Sequence, residues 1–196
     1  MRRLGYYSEM LPIVSSLELQ IELSEEPLVV MTVGIPASGK SAVIDQLALR
    51  IASTTGQAIE ATSVGRIHHR LTKLHAGKSL QDMLLRMVYQ DVDRSLSEHG
   101  IALVDHTYID THERKIDIGR FRDMGAITIG GLFMDIAPGV AIQRNADRLV
   151  QVPAQHIGEM AVQLEANRPT WQEGFDWLVT VDDAGVQASI RDYQSS

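Results

Sequence analysis

The sequence predicts a three-layer α/β fold, a parallel central sheet with helices on both faces. Three observations predict it. The runs Leu28–Val33 and Ile101–Val104 are short, continuously apolar and rich in β-branched residues, as strands buried on both faces are. Stretches with apolar residues at helical spacing separate such runs. The alternation of strand and helix then continues almost to the C-terminus, which is the pattern of a parallel sheet wound on both sides.

The elements follow in order. Residues 17–23, Leu-Glu-Leu-Gln-Ile-Glu-Leu, alternate strictly and predict a half-buried strand in an N-terminal β appendage spanning residues 1–26; residues 27–196 form the main domain. After the strand at 28–33 comes a helix with Val43, Ile44, Leu47, Ala48 and Ile51 on one stripe, closed by Gly56. A short strand is expected at Ala58–Thr62, then helices over 66–75 and 79–98, the second ended by Gly100 and carrying Leu80, Met83, Leu84 and Met87 as core. The strand at 101–104 ends on Asp105. A helix over Thr111–Asp123, a strand over Ala126–Met134, helices over Pro138–Leu149 and 154–167, a strand over Trp177–Val181 and a terminal helix complete the chain. Ligands of such sheets lie beyond the carboxyl ends of the strands.

Composition bounds the function. The chain has 196 residues, 44% of them apolar, enough for one domain with a real core. Lys and Arg number 18 against 25 Asp and Glu, a net charge of −7, which argues against broad non-specific coating of nucleic acid. With no cysteine there is no disulfide framework, zinc-thiolate site or thiol nucleophile. No run approaches the roughly 20 apolar residues of a membrane span, and no apolar segment follows Arg2-Arg3, so a cytoplasmic protein with no membrane partner is expected.

The chemistry is concentrated in Gly34-Ile35-Pro36-Ala37-Ser38-Gly39-Lys40-Ser41, which fits G-x-x-x-x-G-K-[ST] without a mismatch between a buried strand and an amphipathic helix. Glycines let successive N–H groups converge on phosphate oxygens, and the helix N-terminus adds partial positive charge. Lys40 is the candidate for the β- and γ-phosphates, and Ser41 for Mg²⁺. A carboxylate near that metal is also needed. Asp105 ends a buried strand where such an acid belongs; Asp45 and Asp135 are weaker candidates. ATP and Mg²⁺ are thus the expected ligands, within a P-loop NTPase fold.

A second feature is a charge asymmetry. From Ala61 to Gln81 there is no acidic residue, while Arg66, His68, His69, Arg70, Lys73, His75 and Lys78 are basic. Ile67, Leu71 and Leu74 give this segment a buried stripe, so a helix with a basic exposed face is expected beside the site. That face points to an anionic acceptor, a nucleic-acid end or a phosphorylated metabolite. The histidines lack metal-ligand spacing and acidic neighbours and read as surface or acceptor contacts. Trp171 and Trp177 read as packing for the last strand.

Further motifs give a resemblance. Asp105-His106-Thr107 with Glu113-Arg114, then Arg144-Asn145-Ala146-Asp147-Arg148 with Val152-Pro153, then Pro169 followed by Glu173-Gly174-Phe175-Asp176, resemble in order and spacing the segments of polynucleotide-kinase-like P-loop kinases. That group includes phage 5′-hydroxyl polynucleotide kinases and zeta-toxin-type sugar-nucleotide kinases. The resemblance implies transfer of the γ-phosphoryl of ATP to an alcohol group, foremost on a polynucleotide. It implies Lys40, Asp105 and Arg148 as catalytic residues, Arg144 as an ATP contact in a lid over about 144–153, and Ser63, Arg66, Thr107 and Arg114 toward the acceptor, to which the basic helix face adds Arg70. Arg144 and Arg148 are four apart, the spacing of one helix face. One departure stands out. Where many relatives carry S-x-D-x-x-R, with the Asp as proton acceptor, this chain reads Ala61-Thr62-Ser63-Val64-Gly65-Arg66. Glu60, His68, His106 and Asp110 are the alternative groups for that role. A small-molecule kinase, or a nucleotide-binding switch that transfers nothing, are the alternative functions. Oligomeric state is not legible.

Overall fold

A computed structural model describes residues 26–56, 58–74, 80–182 and 185–190; the strand predicted at 17–23 lies outside them. The strands are β1 Leu28–Val33, β2 Thr62–Ser63, β3 Ile101–Asp105, β4 Thr128–Asp135, β5 Trp177–Asp182 and β6 Gly185–Ile190. The helices are α1 Lys40–Thr55, α2 Val64–Leu74, α3 Leu80–His99, α4 Thr111–Asp123, α5 Pro138–Ala146 and α6 Ala154–Ala166. The sheet order is β2-β3-β1-β4-β5-β6, with all pairs parallel except the antiparallel β5–β6.

Every residue of β1 is buried, because helices cover both faces of the sheet. Alternation divides its side chains. Leu28 and Val30 join Val43, Ile44, Leu47 and Ile51 of α1 on one face. Val29, Met31 and Val33 join Ile118 and Phe121 of α4 and Ile157 and Leu164 of α6 on the other. Each such side chain stabilises the fold by about 1.5–3 kcal/mol. A smaller cluster, Ile67, Leu71, Leu84 and Val88, fastens α2 to α3.

The polypeptide leaves β1 where the sheet order reverses, with β3 on one side and β4 on the other. A crevice opens there, beyond the strand ends.

Three expectations are corrected. The segment after β5 is an antiparallel strand, not a helix. The helix from Pro138 ends at Ala146, so Arg148 lies in the turn that follows rather than on the helix face with Arg144. The strand expected at 58–62 shrinks to Thr62–Ser63. Trp177 is core, as its pattern predicts. Its ring lies over Gly130, where an added Cβ would meet it at 1.9 Å.

Candidate phosphate-binding and acceptor cleft

The loop from Gly34 to Lys40 is shaped by backbone demands. Gly34 has φ +151°, and a Cβ there would meet the Met134 carbonyl oxygen and Ser38 Oγ at 2.9 Å. Ala37 is left-handed at φ 61°, a conformation that costs a non-glycine residue about 1–2 kcal/mol. Gly39 precedes α1 at φ 107°, and no side chain caps the helix. The first N–H groups of α1 and their partial charge therefore face the crevice without a built-in acceptor, as an anion site requires.

Lys40 is folded into this loop with 7% exposure, donating to the Ile35 carbonyl at 2.7 Å and to Ser38 Oγ at 3.4 Å. Burial lowers its pKa to about 8; Asp105 pulls it back up and Arg148 adds to the fall. A buried ammonium with loop oxygens as its partners is well matched to a polyphosphate.

Asp105 receives two hydroxyls on one oxygen. Ser41 Oγ donates to its Oδ2 at 2.7 Å and Ser63 Oγ at 2.9 Å. The register pairs Ser63 with Asp105 across β2 and β3, so three oxygen-bearing side chains from three elements meet at one point. Ser41 and Asp105 supply the hard oxygen donors that suit Mg²⁺. Among the described residues there is no cluster of three His or acidic side chains that could hold a metal alone.

The cleft built around these groups has a volume of about 1020 Å³. Arg144 reaches its phosphate end, donating to the Ser38 carbonyl at 3.3 Å, and Arg148 lines the same end. Both sides of Asn145 hold the segment after α5: its Nδ2 donates to the Val152 carbonyl at 2.7 Å, and its Oδ1 accepts from the Val152 N–H at 3.0 Å. The Asn of the R-N-x-x-R pattern is therefore a structural clasp.

The opposite end of the cleft is made by α2, α3 and the segment after β3. Thr107 lines it, and its carbonyl accepts the Gly34 N–H at 2.9 Å. His106 Nε2 lies 3.0 Å from Glu113 Oε1. Asp117, missed by sequence reasoning, is 7% exposed and accepts from Tyr89 Oη at 2.6 Å and Tyr108 Oη at 2.7 Å. Burial, with Asp117 alongside, pushes Tyr89 up to about 12 and Tyr108 well above the phenol range, so both stay donors. Its one sequence trace is the four-residue step from Glu113 along α4.

Several predicted site residues are elsewhere. Arg114 is wholly buried, paired with buried Glu173 and bonded to the Tyr108 carbonyl at 2.7 Å, Thr111 Oγ1 at 2.9 Å and the Asn167 carbonyl at 2.7 Å. It ties α4 to the turn at Trp171–Glu173 and has no access to an acceptor. Arg70 lines a separate cleft of about 310 Å³ on the far side of α2, together with Glu60 and Arg94. Arg66 borders both clefts, its guanidinium 2.5 Å from Asp45. Asp45 is thereby accounted for, as is Asp135 by its bond to Arg168. Asp110 caps α4, accepting from the N–H groups of His112 at 2.8 Å and Glu113 at 3.0 Å; those bonds lower its pKa. His68 and His69 line the main cleft, whereas His75 and Lys78 fall outside the described residues.

Residues 26–116, from before β1 into α4, match the family described as chromatin associated protein KTI12. No curated protein matches the sequence. Among solved structures, the Pnkp1/Rnl/Hen1 RNA repair complex is similar at TM-score 0.60 and 16% identity, covering 89% of this chain and 52% of that one. AvrRxo1-ORF1:-ORF2 with ATP is similar at TM-score 0.60 and 16% identity, covering 92% and 62%. The tunicamycin resistance protein of Deinococcus radiodurans gives TM-score 0.54 and 17% identity, covering 83% and 89%. The chain thus spans about half the length of the RNA-repair chain it resembles. A sheet with a parallel core, a phosphate loop at its switch point and these likenesses together give the chain the fold of the P-loop kinases.

Proposed function

We propose that the protein is an ATP-dependent kinase that transfers the γ-phosphoryl group to a hydroxyl. The observation that carries this is the meeting of Lys40, Ser41 and Asp105 at the uncapped start of α1, within a cleft that continues past Ser63. A site for nucleotide alone does not need the second half of that cleft.

In this reading the loop N–H groups and Lys40 hold the β- and γ-phosphates. Ser41 and Asp105 hold Mg²⁺, which when bound neutralises charge on those phosphates. The acceptor oxygen forms a bond to the γ-phosphorus, and the bond from that phosphorus to the bridging oxygen breaks. ADP leaves with the electron pair, and the hydroxyl proton passes to water in the cleft. A loose phosphoryl transition state asks for positioning and charge stabilisation more than for a strong base, so Ser63 at the Asp position does not forbid transfer. Residues 144–153 are the lid, with Arg148 turned to the developing charge.

A second reading, a nucleotide-dependent switch that transfers nothing, draws on Ser63, which bonds Asp105 where a proton acceptor would stand. The test is calorimetric titration with ATP-Mg followed by a labelled-phosphate screen over DNA, RNA and small hydroxyl compounds. Kinase activity is expected in the wild type and lost with Lys40→Ala. Arg148→Ala is expected to lower kcat more than ATP affinity. Binding without transfer to any acceptor would favour the switch.

A further inference from the structure

Every permanent cation that lines the main cleft among the described residues is already placed: Lys40, Arg144 and Arg148 at the phosphate end, and Arg66 against Asp45. The acceptor end is a different surface. Val64, Leu84, Leu85 and Val88 form an apolar wall from α2 and α3. Two carboxylates, Glu113 and Asp117 of α4, line the same cleft. Asp117 is buried against two phenols with no cation at salt-bridge distance among the described residues. Glu113 touches His106 through one oxygen and remains 43% exposed. The basic side chain Arg70, which sequence asymmetry assigned to an anionic acceptor, opens onto the other cleft.

An anion entering this end would be brought from water against two carboxylates and an apolar wall, with Arg66 already paired to Asp45 and only the imidazoles of His68 and His69 as further basic groups of α2 in the cleft. A molecule with an apolar body and hydrogen-bond donors would meet both acceptors and hydrocarbon there. We infer that the acceptor is a small, donor-rich hydroxyl compound with an apolar portion and no phosphate, either a neutral polyol-type molecule or an amino alcohol, with its donors turned to Glu113 and Asp117. This rests on the kinase reading and narrows it. The transferred group moves as described above: the acceptor hydroxyl oxygen takes the γ-phosphorus, ADP departs, and the proton goes to cleft water.

The test offers the full chain γ-labelled ATP-Mg with four acceptor sets: nucleosides and other neutral polyols, amino alcohols, sugar phosphates, and 5′-hydroxyl oligonucleotides. Transfer is expected to the first or second set, and which of the two responds identifies the donor chemistry. The acceptor KM should change less than about twofold between 50 and 200 mM salt, where a binder of several phosphates would lose about 10³-fold or more. Glu113→Gln and, on the apolar wall, Leu85→Asp should each raise the acceptor KM about tenfold with the ATP KM unchanged. Transfer confined to sugar phosphates or oligonucleotides overturns this inference and leaves the kinase standing, as does an acceptor KM unmoved by both variants. ATP-Mg binding that depends on Lys40 but gives no transfer to any set overturns the kinase reading and this inference with it.

Discussion

Lys40 illustrates a residue held at a cost. Its ammonium is buried, and its pKa falls to about 8 from 10.5 in the unfolded chain. Folding therefore disfavours the bound proton, so the cost is fully present below pH 8 and fades as pH rises from about 8 toward 10.5. Lys40→Met should make the nucleotide-free protein more stable at neutral pH by roughly 1–3 kcal/mol, given about 1.4 kcal/mol per pKa unit. The gap should narrow above pH 8, and thermal melts across that range check the sign. Arg114 illustrates the opposite case. A wholly buried guanidinium with a buried carboxylate partner contributes little as a pair, but it becomes a liability when the partner is removed. Glu173→Gln should destabilise by about 3–5 kcal/mol in denaturant titrations. Sequence spacing matched Arg114 to an acceptor role because a motif records which residue recurs, not which way it faces. Lys40, Ser41 and Asp105 were legible because loop chemistry and strand-end position confine them. Asp117 was not, since its partners Tyr89 and Tyr108 come from separate segments.

At the level of elements, the strands were the most legible part. Continuous apolar runs have one physical explanation when helices must cover both faces. Helix ends were read less well. The apolar residues Leu149 and Val150 extend the helical pattern past Ala146, yet they are exposed, and the polypeptide turns there because Asn145 takes the Val152 backbone. Asn145→Ala should leave two backbone groups of Val152 without their partner. The expected result is about 1–3 kcal/mol of lost stability and faster hydrogen exchange over residues 147–152, with the rest of the amides unchanged. The sheet offers its own check. Gly130→Ala would drive a methyl into the Trp177 ring, and unfolding should show about 1–3 kcal/mol of destabilisation or more, with the Trp177 fluorescence altered.

At the level of the whole molecule, the acidic net charge and the basic segment are laid out separately. The chain is acidic and one segment is basic, and folding divides the basic face of α2 between two clefts: Arg66, His68 and His69 line the one that reaches the phosphate loop, and Arg66 and Arg70 line the other. One-dimensional asymmetry does not say which side of a helix a cavity will adjoin. β6 was misread for a similar reason: its edge pairing with β5 is a non-local contact that local pattern does not report. ATP-Mg at about a hundred times its Kd should raise the stability of the folded chain by about 2.7 kcal/mol, and this gain should vanish in Lys40→Met. Differential scanning calorimetry with and without nucleotide measures both.

The bond from the Gly34 amide to the Thr107 carbonyl, beside the Thr32–His106 pair, joins the two halves of the cleft at their root. A guest that shifts the backbone at 106–108 must pull on the first residue of the nucleotide cradle, and the tug is felt equally in reverse. Loading either chamber should therefore retune the affinity of the other by a common factor, so that the order in which two ligands arrive alters the path and leaves the destination unchanged.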